Sequence, residues 1–142
     1  MRFTLLNPGP VSLSDGVRSA AVKADLCHRE PEYFSLQDRV RSGLLDVYGL
    51  DGQTWTAILL GGSGTTALEA MLSSLVPADA RLLVIENGVY GERIRRIAEI
   101  HGIEFQSVRY EWTEAVDLQA VDDALSGGEF THVAAVHHET TT

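Results

Sequence analysis

From residue 51 onward, apolar and polar positions alternate in blocks of two kinds. Ala57-Ile-Leu-Leu60 is an unbroken apolar run between the Asp51-Gly52 turn and Gly61-Gly62, and it predicts a strand over 54–60 buried on both faces. Residues 65–75 change to a helical period, with Ala67, Leu68, Met71, Leu72 and Leu75 on one side and Pro77 as the stop. Arg81–Glu86 is a second strand, turned at Asn87-Gly88. A helix over 90–101 faces inward through Ile94, Ile97 and Ala98 and ends at Gly102. A third strand covers 103–110. Asp117 caps a short helix with Leu118, Val121 and Leu125 inward, ended by Gly127-Gly128, and a fourth strand covers 130–137. Strands alternating with amphipathic helices predict an α/β fold: a three-layer, mostly parallel sheet with helices on both faces. Strands 54–60, 81–86 and 130–137 are expected in its core.

The first fifty residues read differently. Residues 3–10 hold Pro8 and Pro10 around Gly9, which forbids a helix and predicts an extended arm. Ser12 or Ser14 can cap a first helix reaching to about Asp25, with Leu13, Val17, Ala20, Ala21 and Ala24 inward. Cys27-His-Arg-Glu-Pro31 is a polar break. Pro31 then opens a second helix closed by Gly49, with Tyr33, Leu36, Val40, Leu44 and Val47 as its apolar stripe. No repeat, low-complexity tract or linker divides the chain, so residues 1–142 read as a single domain. The chain stops just past a strand that reads as buried, which is expected of the first part of something longer.

Charge narrows the partners. The net charge of −9 argues against a nucleic-acid or anionic-membrane surface. No apolar run reaches transmembrane length, and the N-terminus lacks the layout of a signal peptide. Cys27 is the single cysteine, so no disulfide framework exists and a cytoplasmic location is expected. Of the 11 basic residues, Lys23 alone is a lysine.

Candidate chemistry gathers where strands hand over to helices. Gly61-Gly-Ser-Gly-Thr-Thr66 joins a predicted strand to a helix start. Unpaired N–H groups and the helix dipole there favour an anion, and Ser63, Thr65 and Thr66 add hydroxyls. A phosphate monoester fits such a cup; the competing reading is a tight turn with a Ser/Thr cap. The stretch lacks both the lysine of a P-loop and the G-x-G-x-x-G spacing. Tyr90, after the second strand, falls at the same carboxyl edge of a parallel sheet. It suits stacking on a flat ring, or plain packing on the sheet. His137-His138-Glu139 does not make a metal site, because alternate strand residues face opposite ways and no third ligand lies at a useful spacing. Thr140 offers a hydroxyl at the strand's end. Cys27-His28 is a poor nucleophile–base pair because adjacent side chains in an irregular segment rarely meet. Arg29 is a candidate anion clamp in that loop, or simply surface, and Arg93, Arg95 and Arg96 read as a solvated helix face.

The ordered set Leu5-Leu-Asn-Pro-Gly-Pro10, Cys27-His-Arg-Glu30, Leu60-Gly-Gly-Ser-Gly-Thr-Thr66, Asn87-Gly-Val-Tyr-Gly-Glu-Arg93 and His137-His-Glu-Thr-Thr-Thr142 resembles the class V branch of fold-type I pyridoxal-phosphate aminotransferases. The resemblance runs the whole chain. It implies the N-terminal arm plus the first part of the cofactor-binding large domain. It implies pyridoxal 5′-phosphate as cofactor, with Ser63, Gly64 and Thr65 on its phosphate, Tyr90 on its ring and Thr140 near its phenolic oxygen. The implied reaction transfers the amino group of 2-aminoethylphosphonate to pyruvate, in a homodimer with active sites at the subunit interface. Members of the family keep the Schiff-base lysine, the aspartate paired with the pyridinium nitrogen and the carboxylate-gripping arginine downstream of the Glu-Thr-Thr-Thr segment. Lys23 matches none of these, so no catalytic residue is assigned. A non-catalytic module for a phosphorylated ligand, or another class V enzyme such as an alanine–glyoxylate aminotransferase, are the alternatives.

Overall fold

The computed structural model describes residues 3–141. They fall into two compact units, Met1–Leu59 and Leu60–Thr142.

The first unit holds two helices. Helix α1, Asp15–Ala20, is capped by Ser14, whose Oγ accepts from the Val17 N–H. It stops well short of Asp25, the expected end. Its last turn tightens, with Ala21, Val22 and Lys23 N–H groups donating three residues back to Arg18, Ser19 and Ala20, and a six-residue helix has no further ladder to propagate. Lys23 therefore lies in a turn and not in the helix. Helix α2, Pro31–Val47, opens on Pro31 as expected, and Gly49 beyond its end takes the left-handed conformation at φ 64°. Its expected stripe is not buried: Leu36, Val40, Leu44 and Val47 are exposed and Tyr33 only half-buried.

The second unit is built on a three-stranded parallel sheet in the order β2-β1-β3, from β1 (Arg81–Glu86), β2 (Glu104–Arg109) and β3 (His132–Ala135). Leu82 faces Phe105 on one side and His132 on the other, and the register continues along the strand. The apolar run of β1 is buried on both faces, as the unbroken pattern predicts. Leu82 and Val84 pack with Ala134 against α3 (Gly64–Leu75) and α4 (Val89–His101) through Leu72, Ile94, Ile97 and Ala98. Leu83 and Ile85 point the other way, onto Val121 of α5 (Leu118–Gly127). The result is the expected three-layer α/β arrangement.

The predicted strand over 54–60 does not form. Among the described residues, Thr54 belongs to the turn after Asp51 and 55–60 take no regular secondary structure; a strand exists only as one side of a hydrogen-bonded ladder. Trp55, Ile58 and Leu60 are correspondingly exposed. β3 is shorter than 130–137 and, among the described residues, pairs only with β1, so it is an edge and not a central strand.

Candidate functional site

The carboxyl edge of the sheet collects the candidate residues of the second unit. Ser63 stands at the head of α3 in extended conformation, and its Oγ accepts from the Thr66 N–H at 3.3 Å. That cap leaves the Gly64 and Thr65 N–H groups, which have no partner inside the helix, for an external acceptor. A methyl group added at Gly61 or Gly64 would meet nothing within 4 Å, so the cup is open on that side. At Gly62 the same atom would run into the Thr66 side chain at 2.8 Å, so this glycine serves the tight approach of loop to helix.

Tyr90 lies in the first turn of α4, just after the Asn87-Gly88 turn, and is half-buried. One guanidinium joins it to the cup. Arg93 stacks over the Tyr90 ring at 4.8 Å from the centroid, and its Nη1 donates to Thr65 Oγ1 at 3.0 Å. Arg93 is thus not a solvated residue, contrary to the sequence reading. The signal was available: positions 90 and 93 lie one helical turn apart and share a face. Arg95 and Arg96 do turn toward carboxylates. Arg95 Nε binds Glu86 at 3.1 Å and Nη1 binds Glu99, and Arg96 also binds Glu99 at 3.2 Å. Glu86, 4% exposed, takes a second guanidinium from Arg109 at 3.0 Å. Beside Tyr90 an apolar groove of about 430 Å³ runs along β3, lined by Leu72, Ile94, Val133 and His138 among others.

Thr140 is exposed in a turn, flanked by two residues that grip the head of α4. Glu139 Oε2 accepts from the Tyr90 N–H at 2.9 Å, and Thr141 Oγ1 accepts from the Val89 N–H at 3.3 Å. Glu139 Oε1 takes the Thr141 hydroxyl at 2.6 Å and its N–H at 3.2 Å. Burial pushes the Glu139 carboxyl up, but the donors of Thr141, Tyr90 and Gly91 together outweigh it and hold its pKa below the usual value. Gly88, the residue at the N-cap of α4, has no side chain to offer, and a Cβ there would sit 2.5 Å from Glu139 Cγ. The sequence reading considered Glu139 only beside His137 and His138 as a metal ligand; among the described residues no three ligating side chains converge. A contact across 49 positions leaves no local pattern to read.

Arg29 belongs to the first unit, exposed, with its Nε donating to His28 Nε2 at 3.2 Å. Cys27 is a free, exposed thiol.

No family model matches the chain. It is 38% identical over 142 residues to a 2-aminoethylphosphonate–pyruvate transaminase of Phocaeicola vulgatus, an alignment covering 99% of this chain and 39% of the relative. A bifunctional phosphonoacetaldehyde hydrolase/aminoethylphosphonate transaminase of Clostridioides difficile is 38% identical over 141 residues, covering 99% of this chain and 22% of that protein. Among solved structures, pyridoxamine–pyruvate aminotransferase from Mesorhizobium loti superposes with a TM-score of 0.88 at 27% identity, covering 97% of this chain and 35% of that one. Alanine–glyoxylate aminotransferase from Nostoc sp. gives 0.85 at 27% identity, over 96% and 36%. The motif resemblance is borne out: over 99% of its length the chain is similar to 2-aminoethylphosphonate–pyruvate transaminases, of which it spans 39% or less in the two relatives named, and its α/β fold is that of the aminotransferases.

Proposed function

We propose that these residues form the phosphate- and ring-binding part of a pyridoxal-5′-phosphate-dependent transaminase. It moves the amino group of 2-aminoethylphosphonate to pyruvate, giving phosphonoacetaldehyde and alanine. The observation that carries the reading is the Arg93 bridge, which brings an anion cup and an aromatic face together at one sheet edge. The donor chemistry fits the group. The head of α3 offers N–H groups, hydroxyls and, one contact away, a guanidinium, and the space beside Gly61 and Gly64 is open.

In this reading the Gly64 and Thr65 N–H groups and the Ser63 and Thr65 hydroxyls bind the phosphate dianion at the positive end of α3. Tyr90 supplies a flat apolar face for the pyridine ring, held by Arg93 behind or beside it. The Thr140 hydroxyl orients the ring through its phenolic oxygen. Arg29, in the first unit, is proposed by itself as a guanidinium for an anion. When bound, the cofactor supplies an electron sink and an amino carrier; the protein supplies position and charge. The phosphonate substrate is supported by 38% identity to the two phosphonate enzymes, against 27% to the alanine–glyoxylate and pyridoxamine–pyruvate enzymes. We place the protein in the cytoplasm as a homodimer. Among the described residues no helix is long and apolar enough to cross a membrane.

Amide NMR during titration with inorganic phosphate, and then with pyridoxal 5′-phosphate, tests the assignment. Shifts at residues 61–66 with both, and at 89–91 with the cofactor only, are the expected result. Shifts confined to other positions would refute it.

A further inference from the structure

Helix α4 carries the ring-facing Tyr90 but begins on a glycine, which cannot cap it. Its cap comes instead from residues about fifty positions downstream: Thr141 Oγ1 accepts from the Val89 N–H, and Glu139 Oε2 from the Tyr90 N–H. These are the first two helical positions, where N–H groups lack partners and a negative charge is favoured. The carboxylate's other oxygen is held by the Thr141 hydroxyl and N–H, so its orientation is determined on both sides. Gly88 leaves the volume the carboxylate occupies. At the strand end behind it, Asn87 Nδ2 donates to the Val136 carbonyl at 3.1 Å, tying the end of β1 to the chain leaving β3. Between the two capping residues stands Thr140, whose own side chain is exposed.

We propose that Glu139 is a positioning residue for the cofactor ring: its carboxylate locks the segment bearing Thr140 onto the helix start bearing Tyr90, so that the stacking face and the ring-orienting hydroxyl form one preorganised surface. The inference rests on the functional reading above and deepens it. Glu139 touches neither phosphate cup nor ring in this arrangement. It acts through Tyr90 and Thr140, and the cup is organised separately by Ser63 and Thr66. That separation makes the role measurable. A residue that merely stabilised the fold would affect phosphate and cofactor binding alike, whereas a positioning residue affects only the ring's share.

The experiment compares the full chain with Glu139→Gln, which keeps shape and loses charge. Two probes are titrated: inorganic phosphate, read at the amides of residues 61–66, and pyridoxal 5′-phosphate, read by binding and by the circular dichroism induced in its chromophore. We expect the substitution to weaken pyridoxal-phosphate binding about tenfold, on the scale of one charge-assisted hydrogen bond, and to diminish the induced signal, with phosphate affinity unchanged within about twofold. Unchanged cofactor binding and unchanged dichroism overturn the inference, as does a parallel loss of phosphate affinity. If Glu139→Gln does not fold by far-ultraviolet dichroism, Thr141→Ala, which removes the hydroxyl that steers the carboxylate and caps Val89 while leaving the carboxylate in place, is read in the same way with a loss of about threefold expected. Failure of the unsubstituted chain to take either probe overturns the functional reading itself, and this inference with it.

Discussion

Arg93 donates a hydrogen bond to the Thr65 hydroxyl across 28 positions of sequence, with its guanidinium laid over the Tyr90 ring. Helix α3 and helix α4 thereby meet at their N-terminal ends, where both dipoles are positive. An added cation is unfavourable there unless an anion joins it. Glu139 supplies one at the head of α4, and in the proposed function a bound phosphate supplies a second at the head of α3.

Arg93→Gln is expected to weaken phosphate and pyridoxal-phosphate binding about tenfold, and Arg93→Lys to recover only part of the loss, because lysine keeps the charge without the planar stacking fork. Isothermal titration with each ligand checks this. Equal affinity for all three proteins would remove Arg93 from the site.

Stability should depend on Glu139 in one direction of pH. Its folded pKa is lowered, so its contribution is fully present above the ordinary carboxylate range and is lost as pH falls through the lowered folded value. Urea unfolding of the unsubstituted chain and Glu139→Gln should therefore differ most near neutrality and converge in acid. A gap that widens on acidification contradicts the cap.

Arg95→Ala should destabilise the chain by about 3 kcal/mol, since it removes one of two guanidiniums from a carboxylate that is 4% exposed. Loss of Arg96, whose partner Glu99 is better solvated, should cost about 0.5 kcal/mol or less. Thermal melts of the two variants test the order.

The 142-residue chain alone should form no alanine from 2-aminoethylphosphonate and pyruvate. Lys23 is its only lysine, exposed in the turn after α1, and the anchoring of the cofactor as well as its proton movements call for a lysine amine beside the ring. Borohydride reduction after incubation with the cofactor, with peptide mapping, should find no specific label on Lys23. Labelling together with turnover would reverse this.

The elements legible in the sequence were those whose stability is local or whose apolar period is unambiguous. β1 follows its unbroken run, α3 its Ser63 cap, and α4 its stripe and Gly102 stop. The misread ones depended on partners. Residues 54–60 carry a buried-strand pattern, but pairing decides whether a strand forms, and periodicity does not name the pair. The stripe on α2 likewise marks a face without saying what covers it. In the site, the Ser63 cap and the place of Tyr90 followed from local turn chemistry. The stacking of Arg93 on Tyr90 was legible in their one-turn spacing, but its bond to Thr65 and the hold of Glu139 on Tyr90 were not, because only the fold brings those residues together.

A Cβ at position 88 would stand 2.5 Å from Glu139, so the two positions are inherited with a direction. Any side chain at 88 evicts the carboxylate, whereas loss of the carboxylate still leaves a glycine called for, because the backbone at 88 holds φ 156°. Descendants of this gene should accordingly give up Glu139 while keeping Gly88 more readily than the reverse.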